Sequence, residues 1–124
     1  DLFDHGYGTA GIDFVKQTEL LDPRVGAIVT NPPFRLAEDF IATCFRLEVE
    51  KFAVFQRLSF IEGAGRYRRI FRERPPARVW AFSKRVTLQP AGERGERQAS
   101  GFMAFAWYVW SRDSDGTELC WIED

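Results

Sequence analysis

The apolar run Gly26-Ala27-Ile28-Val29-Thr30 stops at Asn31-Pro32-Pro33-Phe34, and beyond that stop the spacing of the apolar positions changes. The run itself reads as a buried strand. Leu36, Ala37, Phe40, Ile41, Cys44, Phe45 and Leu47 then recur at intervals of three and four, the period of an amphipathic helix. Residues 52–58, rich in aromatic and β-branched side chains, predict a second strand, so strand, helix and strand predict a right-handed crossover within a parallel sheet. Gly63 and Gly65 open a further helix through about Glu73, with Tyr67, Ile70 and Phe71 on its packing side and arginines on the other; Pro75-Pro76 stop it. Residues 78–82 and 102–110 read as two more strands paired antiparallel, and the polar stretch 89–101 between them is expected to be disordered. Asp115-Gly116 is a hairpin-type turn, expected to return residues 118–122 as a final edge strand.

A chain of 124 residues with 45% apolar and 15% aromatic content can bury a real core, which fits one domain, 1–124, or part of one. No stretch approaches the length of a membrane span and the acidic opening does not resemble a secretory signal, so a cytoplasmic protein that does not enter a membrane is expected. Cys44 and Cys120 lie far apart without CxxC spacing and His5 stands alone, which supports neither a disulfide framework nor a metal site. His5 reads as a surface residue, and Trp80, Trp107, Trp110 and Trp121 as core or partner-facing bulk.

The net charge of −1 hides a segregation: residues 57–97 carry +7, and the segments on either side carry −4 each. Within the basic block Arg66, Arg68, Arg69, Arg72, Arg74 and Arg78 are interleaved with Tyr67 and Phe71. That pattern suits a phosphate-facing surface, with fixed charge for counterion release and rings for bases, and equally a solvated helix face. Arg57, Arg66, Arg69 and Arg72 are the candidate nucleic-acid contacts.

Residues 31–34 carry the candidate chemistry. An exocyclic amine on a base, or a side-chain amide, is a poor nucleophile because its lone pair is delocalised. Two fixed acceptors, the Asn31 side-chain oxygen and the Pro32 carbonyl, can each take one N–H and leave the lone pair directed at an incoming methyl group. Pro32 and Pro33 lock the turn and remove competing donors, while Phe34 offers a face on which a flipped base can stack. Pro75-Pro76, with neither an amide before nor an aromatic after, lacks this order. The bland alternative is a tight turn in which Asn31 caps the helix starting near Leu36.

With this motif the chain resembles the class I, S-adenosylmethionine-dependent amino-methyltransferases, whose signature is (Asn/Asp/Ser)-Pro-Pro-(Tyr/Phe/Trp). The segment from Arg57 through Leu58-Ser59-Phe60-Ile61-Glu62-Gly63, the arginine-rich helix and the Trp107/Trp110 strand look like the C-terminal half of bacterial and phage-borne relatives of N6-adenine DNA methyltransferases. The resemblance implies a partial Rossmann-like methyltransferase fold in the α/β class, a mostly parallel sheet with an antiparallel C-terminal hairpin. It also implies an enzyme using S-adenosyl-L-methionine, with Asn31, Pro32, Pro33 and Phe34 catalytic. Asp13-Phe14 looks like the position that holds the cofactor adenine, and Asp1 like the acid that binds its ribose.

One part of that pattern is lacking. Gly6-Tyr7-Gly8-Thr9-Ala10-Gly11 matches G-x-G-x-x-G, but five residues before it are too few for a strand, and the distance to Asn31 is too short for the intervening elements. It reads as a turn rather than a cofactor loop, and the chain as an N-terminally truncated or degenerate copy. Three functions stay open: methylation of adenine N6 in DNA, methylation of an RNA base or a protein glutamine, and a catalytically silent domain that binds nucleic acid or a partner. A homo-oligomer or a partner segment could complete the cofactor site.

Overall fold

Residues 6, 8–86 and 103–123 are described in a computed structural model of the chain. Asp1, His5 and the polar loop 89–101 lie outside the described residues. Five strands, β1 (Ala27–Thr30), β2 (Lys51–Arg57), β3 (Arg78–Phe82), β4 (Phe105–Ser111) and β5 (Glu118–Ile122), form one mixed sheet in the order β1-β2-β4-β3-β5. β1 pairs parallel with β2 and β3 with β5, while β4 pairs antiparallel with both β2 and β3. Four strands therefore run one way and β4 runs against them, a mixed sheet within an α/β fold. The antiparallel pairing expected for residues 78–82 and 102–110 is present.

The crossover from β1 to β2 is α1 (Ala37–Arg46), entered through a 3-10 turn at Phe34–Leu36. Its buried residues Ala37, Ile41 and Cys44 fall on one stripe, as the spacing predicts, with Glu38 and Asp39 at its amino end and Arg46 at its carboxyl end, charges that favour the helix dipole. The helix ends in a double closure: Glu48 N–H donates to the Phe45 carbonyl and Val49 N–H to the Cys44 carbonyl, 3.1 Å each. The residue in the left-handed position of this cap is Glu48, at φ 53°, where glycine is usual.

After β2 a 3-10 turn (Leu58–Ile61) leads into α2 (Ala64–Arg66), which continues as a π-helical turn over Tyr67–Phe71. α1 and this second helical segment cover one face of the sheet, contributed by Phe52 and Val54 of β2, Ala106, Tyr108 and Trp110 of β4, and Val79 of β3. Ile70 is buried there and Phe71 packs against it, but Tyr67 is exposed rather than packed. The π turn is the reason: Arg72 N–H bonds the Tyr67 carbonyl, five residues back, so the apolar positions drift from the phase a regular α-helix would keep.

β5 is an edge strand, as expected, but it is not the return arm of a hairpin. Both edges of β4 are already occupied by β2 and β3, so the chain after the Asp115-Gly116 turn reaches the free edge of β3 and lies parallel to it. Thr117 Oγ1 donates to the Pro76 carbonyl (2.7 Å) and Glu118 N–H to Ala77 (2.9 Å), which fix that register. Among the described residues no helix is long and apolar enough to cross a membrane. Both cysteines are free thiols; Cys44 is buried, and burial pushes its pKa up to about 12.

A candidate amine-binding tip at the carboxyl end of β1

Asn31 follows the last residue of β1, at the carboxyl end of a strand paired in parallel with β2. In open sheets of this kind that end of the strands is where ligands bind. Asn31 is exposed and Pro32 is buried. The Pro33 carbonyl accepts the Leu36 N–H at 2.8 Å and starts the 3-10 turn, so the helix is entered without any side-chain cap from Asn31. The capping alternative therefore fails. Among the described residues, neither the Asn31 amide nor the Pro32 carbonyl has a hydrogen-bond partner. Two acceptors, one on a side chain and one on the adjacent backbone, stand unused at the tip of a rigid turn.

Phe34 is half-buried beside them. Its ring lies 5.9 Å from Phe105 with the planes 30° apart, and Phe105 in turn stacks on Phe55 at 5.2 Å and 14°. Arg57, the last residue of β2, holds its guanidinium carbon 4.9 Å from the Phe34 ring centroid. Tyr108, missed as a contributor in the sequence, fixes this corner from below. Its hydroxyl bridges the carbonyls of Arg57 (3.0 Å) and Leu58 (2.9 Å), and burial pushes its pKa up to about 12. The run 105–110 is apolar at every position, so no alternation in the sequence marked Tyr108 as the core-facing residue between Ala106 and Trp110. Gln56, also on the core face, is 2% exposed, and its Nε2 has no partner.

The arginines named as nucleic-acid contacts divide. Arg66 is spent within the fold: it bonds Glu38 (3.2 Å), the carbonyls of Phe60 (2.8 Å) and Glu62 (2.9 Å), and stacks 4.1 Å over the Phe60 ring. Arg69 makes a two-pronged contact with the same Glu38, at 2.9 and 3.0 Å, and Arg72 pairs with neighbouring Glu73 at 3.0 Å. The arginine face expected to meet phosphate thus has part of its charge neutralised within the fold, Arg66 and Arg69 by Glu38 and Arg72 by Glu73. Spacing of three on a helix put Arg66 and Arg69 on one side, and that side faces the acidic first turn of α1. Arg57 alone of the four has no carboxylate partner among the described residues.

Asp13 pairs with Lys16 at 3.3 Å, and the Phe14 ring packs 5.1 Å from Phe40 of α1, while Val15 and Gln17 carbonyls accept Arg46. Phe14 is thereby part of the packing on α1. Gly6, Gly8 and Gly11 all adopt left-handed φ, 81°, 72° and 73°, and lead through extended chain to a three-residue 3-10 turn, Phe14–Lys16. No helix opens at these glycines, so they do not present the aligned N–H groups of a cofactor loop. The described residues do not by themselves fit a complete S-adenosylmethionine site. A cleft of about 370 Å³, lined by Phe45, Phe52, Arg74, Trp110 and Arg112 among others, opens near the amino end of β2, away from the motif. Compared with known proteins, the chain matches no family model, no curated protein and no solved structure.

Proposed function

We propose that this chain carries the amine-binding half of a methyltransferase site and that its substrate is the exocyclic N6 amine of adenine in DNA. The observation that carries the reading is the pair of unused acceptors at the Asn31-Pro32 tip, beside an aromatic ring at the carboxyl end of a parallel strand. A planar amine has two N–H groups, and the tip offers two acceptors. Asn31 Oδ1 takes one N–H and the Pro32 carbonyl the other, which favours a pyramidal nitrogen with its lone pair pointing away from both. Phe34 supports the plane of the base, and its own lean on Phe105, which is in turn stacked on Phe55, makes it a rigid support. S-adenosylmethionine is the methyl donor that the sequence resemblance implies. Its site would be completed by residues other than those described, from a partner segment or a second copy, and no residue here is assigned to it.

A nucleic-acid base is preferred over a protein glutamine because the tip is cationic and aromatic together, with Arg57 on Phe34, and DNA is preferred over RNA on the sequence resemblance alone. The test is methyl transfer from radiolabelled S-adenosylmethionine to adenine-containing DNA, with Asn31→Ala beside the wild type. Loss of transfer of about 100-fold or more is expected, with little change in DNA binding, the size typical of removing one such fixed dipole. Equal turnover by the variant would remove Asn31 from the chemistry. Transfer to a glutamine peptide but not to DNA would replace the substrate.

A further inference from the structure

We propose that Arg57 closes over the free face of the bound base, so that the adenine lies between its guanidinium and Phe34, and that it does not serve as a phosphate contact. The inference rests on the proposal that the tip binds a base. Arg57 is the last residue of β2, the parallel neighbour of the strand that leads into Asn31. Its main chain is pinned, because the single Tyr108 hydroxyl proton is shared between its carbonyl and that of Leu58. Its side chain is exposed and, among the described residues, free of carboxylates. What the guanidinium does instead is lie over the Phe34 ring, 4.9 Å from its centroid.

A guanidinium is planar, delocalised and weakly hydrated, and it stacks on π faces where an ammonium does not. In the present arrangement Arg57 covers ring surface that a base would need. Phe34 leans on Phe105, which stacks on Phe55, so Phe34 is braced and the opening must come from the other partner. Lifting by about the thickness of one ring, the Arg57 side chain exchanges the Phe34 face for the base face, and keeps a π partner throughout. A phosphate contact would require the same group to leave the ring altogether and find an anion elsewhere. Arg66 and Arg69 show what this fold does with arginines meant for anions: it pairs them with a carboxylate.

The two roles differ in what they read, so the test uses a five-nucleotide single strand whose only base is a central adenine, against the same strand with no base. Both probes carry identical phosphates. For the wild type the adenine should strengthen binding about tenfold, the worth of one stacked base. Arg57→Ala should collapse that ratio toward one while leaving the salt dependence unchanged. Arg57→Tyr, planar and neutral, should restore the ratio, and Arg57→Lys, charged but not planar, should not. The inference is overturned if Arg57→Ala weakens both strands equally and flattens the salt slope by about 0.7, or if lysine rescues and tyrosine does not. A wild-type chain that methylates a glutamine peptide and binds neither strand sinks the DNA reading, and this one with it, whereas wild-type binding with an unaltered ratio in Arg57→Ala sinks this one alone.

Discussion

Glu38→Gln tests how far the basic stripe is neutralised within the fold, since one carboxylate holds two arginines. Glu38 is 31% exposed and receives Arg66, 27% exposed, and Arg69, 62% exposed. The glutamine keeps the shape and one acceptor oxygen but removes the charge. The Arg69 pair is solvated and contributes on the order of 0.5 kcal/mol. The Arg66 pair is better shielded and charge-assisted, and roughly 1 kcal/mol is a reasonable share after discounting for its partial exposure. The sum, about 1.5 kcal/mol, lowers the melting temperature by about 6 °C for a chain of this size. Arg66 should stay in place through its bonds to the Phe60 and Glu62 carbonyls, whereas Arg69 keeps only a neutral acceptor and is released to solvent. Thermal denaturation at low and high salt reads the first effect, and the salt dependence of duplex DNA binding reads the second, which should steepen by about one phosphate contact. A melting temperature within 1 °C of wild type, together with an unchanged slope, would refute the claim that Glu38 neutralises this surface.

Glu48→Gly should stabilise the chain by up to about 1 kcal/mol, read from the urea midpoint, because φ 53° costs an L-residue about that much and the Arg112 bond to the Glu48 carbonyl is kept; a lower midpoint would mean the glutamate side chain earns its place. Gln56→Met should raise stability by about 1 kcal/mol by replacing a buried, unpaired amide with a side chain of similar length, and a clear loss would reveal a partner for Nε2. Stability should fall as pH rises from about 9 toward 12. Cys44 and Tyr108 both have folded pKa values raised to about 12 by burial, from 9.0 and 10.0, so above those values the unfolded chain loses protons that the folded chain retains. Cys44→Ala and Tyr108→Phe should each flatten that alkaline limb, and an unchanged limb in both would contradict the assignment.

The tip and its supporting crossover were legible because everything that specifies them is local. The strand before Asn31, the two prolines and the helical spacing after Leu36 all act within some twenty residues, and β1, α1 and β2 appear where those patterns put them. The exception is that β1 is an exposed edge strand and not the buried one its apolar run suggests, because β2 is its one neighbour in the sheet. Pairing partners were legible only where neighbouring elements decided them. The partner of β5 depends on which sheet edges remain open, a property of the assembled sheet and not of the Asp115-Gly116 turn. Glu38 and Arg69 are 31 residues apart, so a count of charge over the basic block could not see that an acidic helix terminus faces it. Tyr67 turned outward because a π turn broke the assumed period. At the site, the order Asn-Pro-Pro-Phe was readable, but Arg57 over Phe34 required the registration of one strand end against another.

The placement of β4 has a consequence for how the chain acquires its structure. β4 follows β2 and β3 in the chain, yet it lies between them in the sheet and pairs with both. Until residues 105–111 have emerged, β2 and β3 have no common partner, and the aromatic residues Tyr108 and Trp110 that close the core are missing from it. Loop closure over roughly half the chain therefore precedes most of the stabilising contacts, which makes the docking of β4 the natural rate-limiting event. A ribosome paused before that strand would hold an open, aggregation-prone nascent chain, and substitutions in β4 should slow folding more than they speed unfolding.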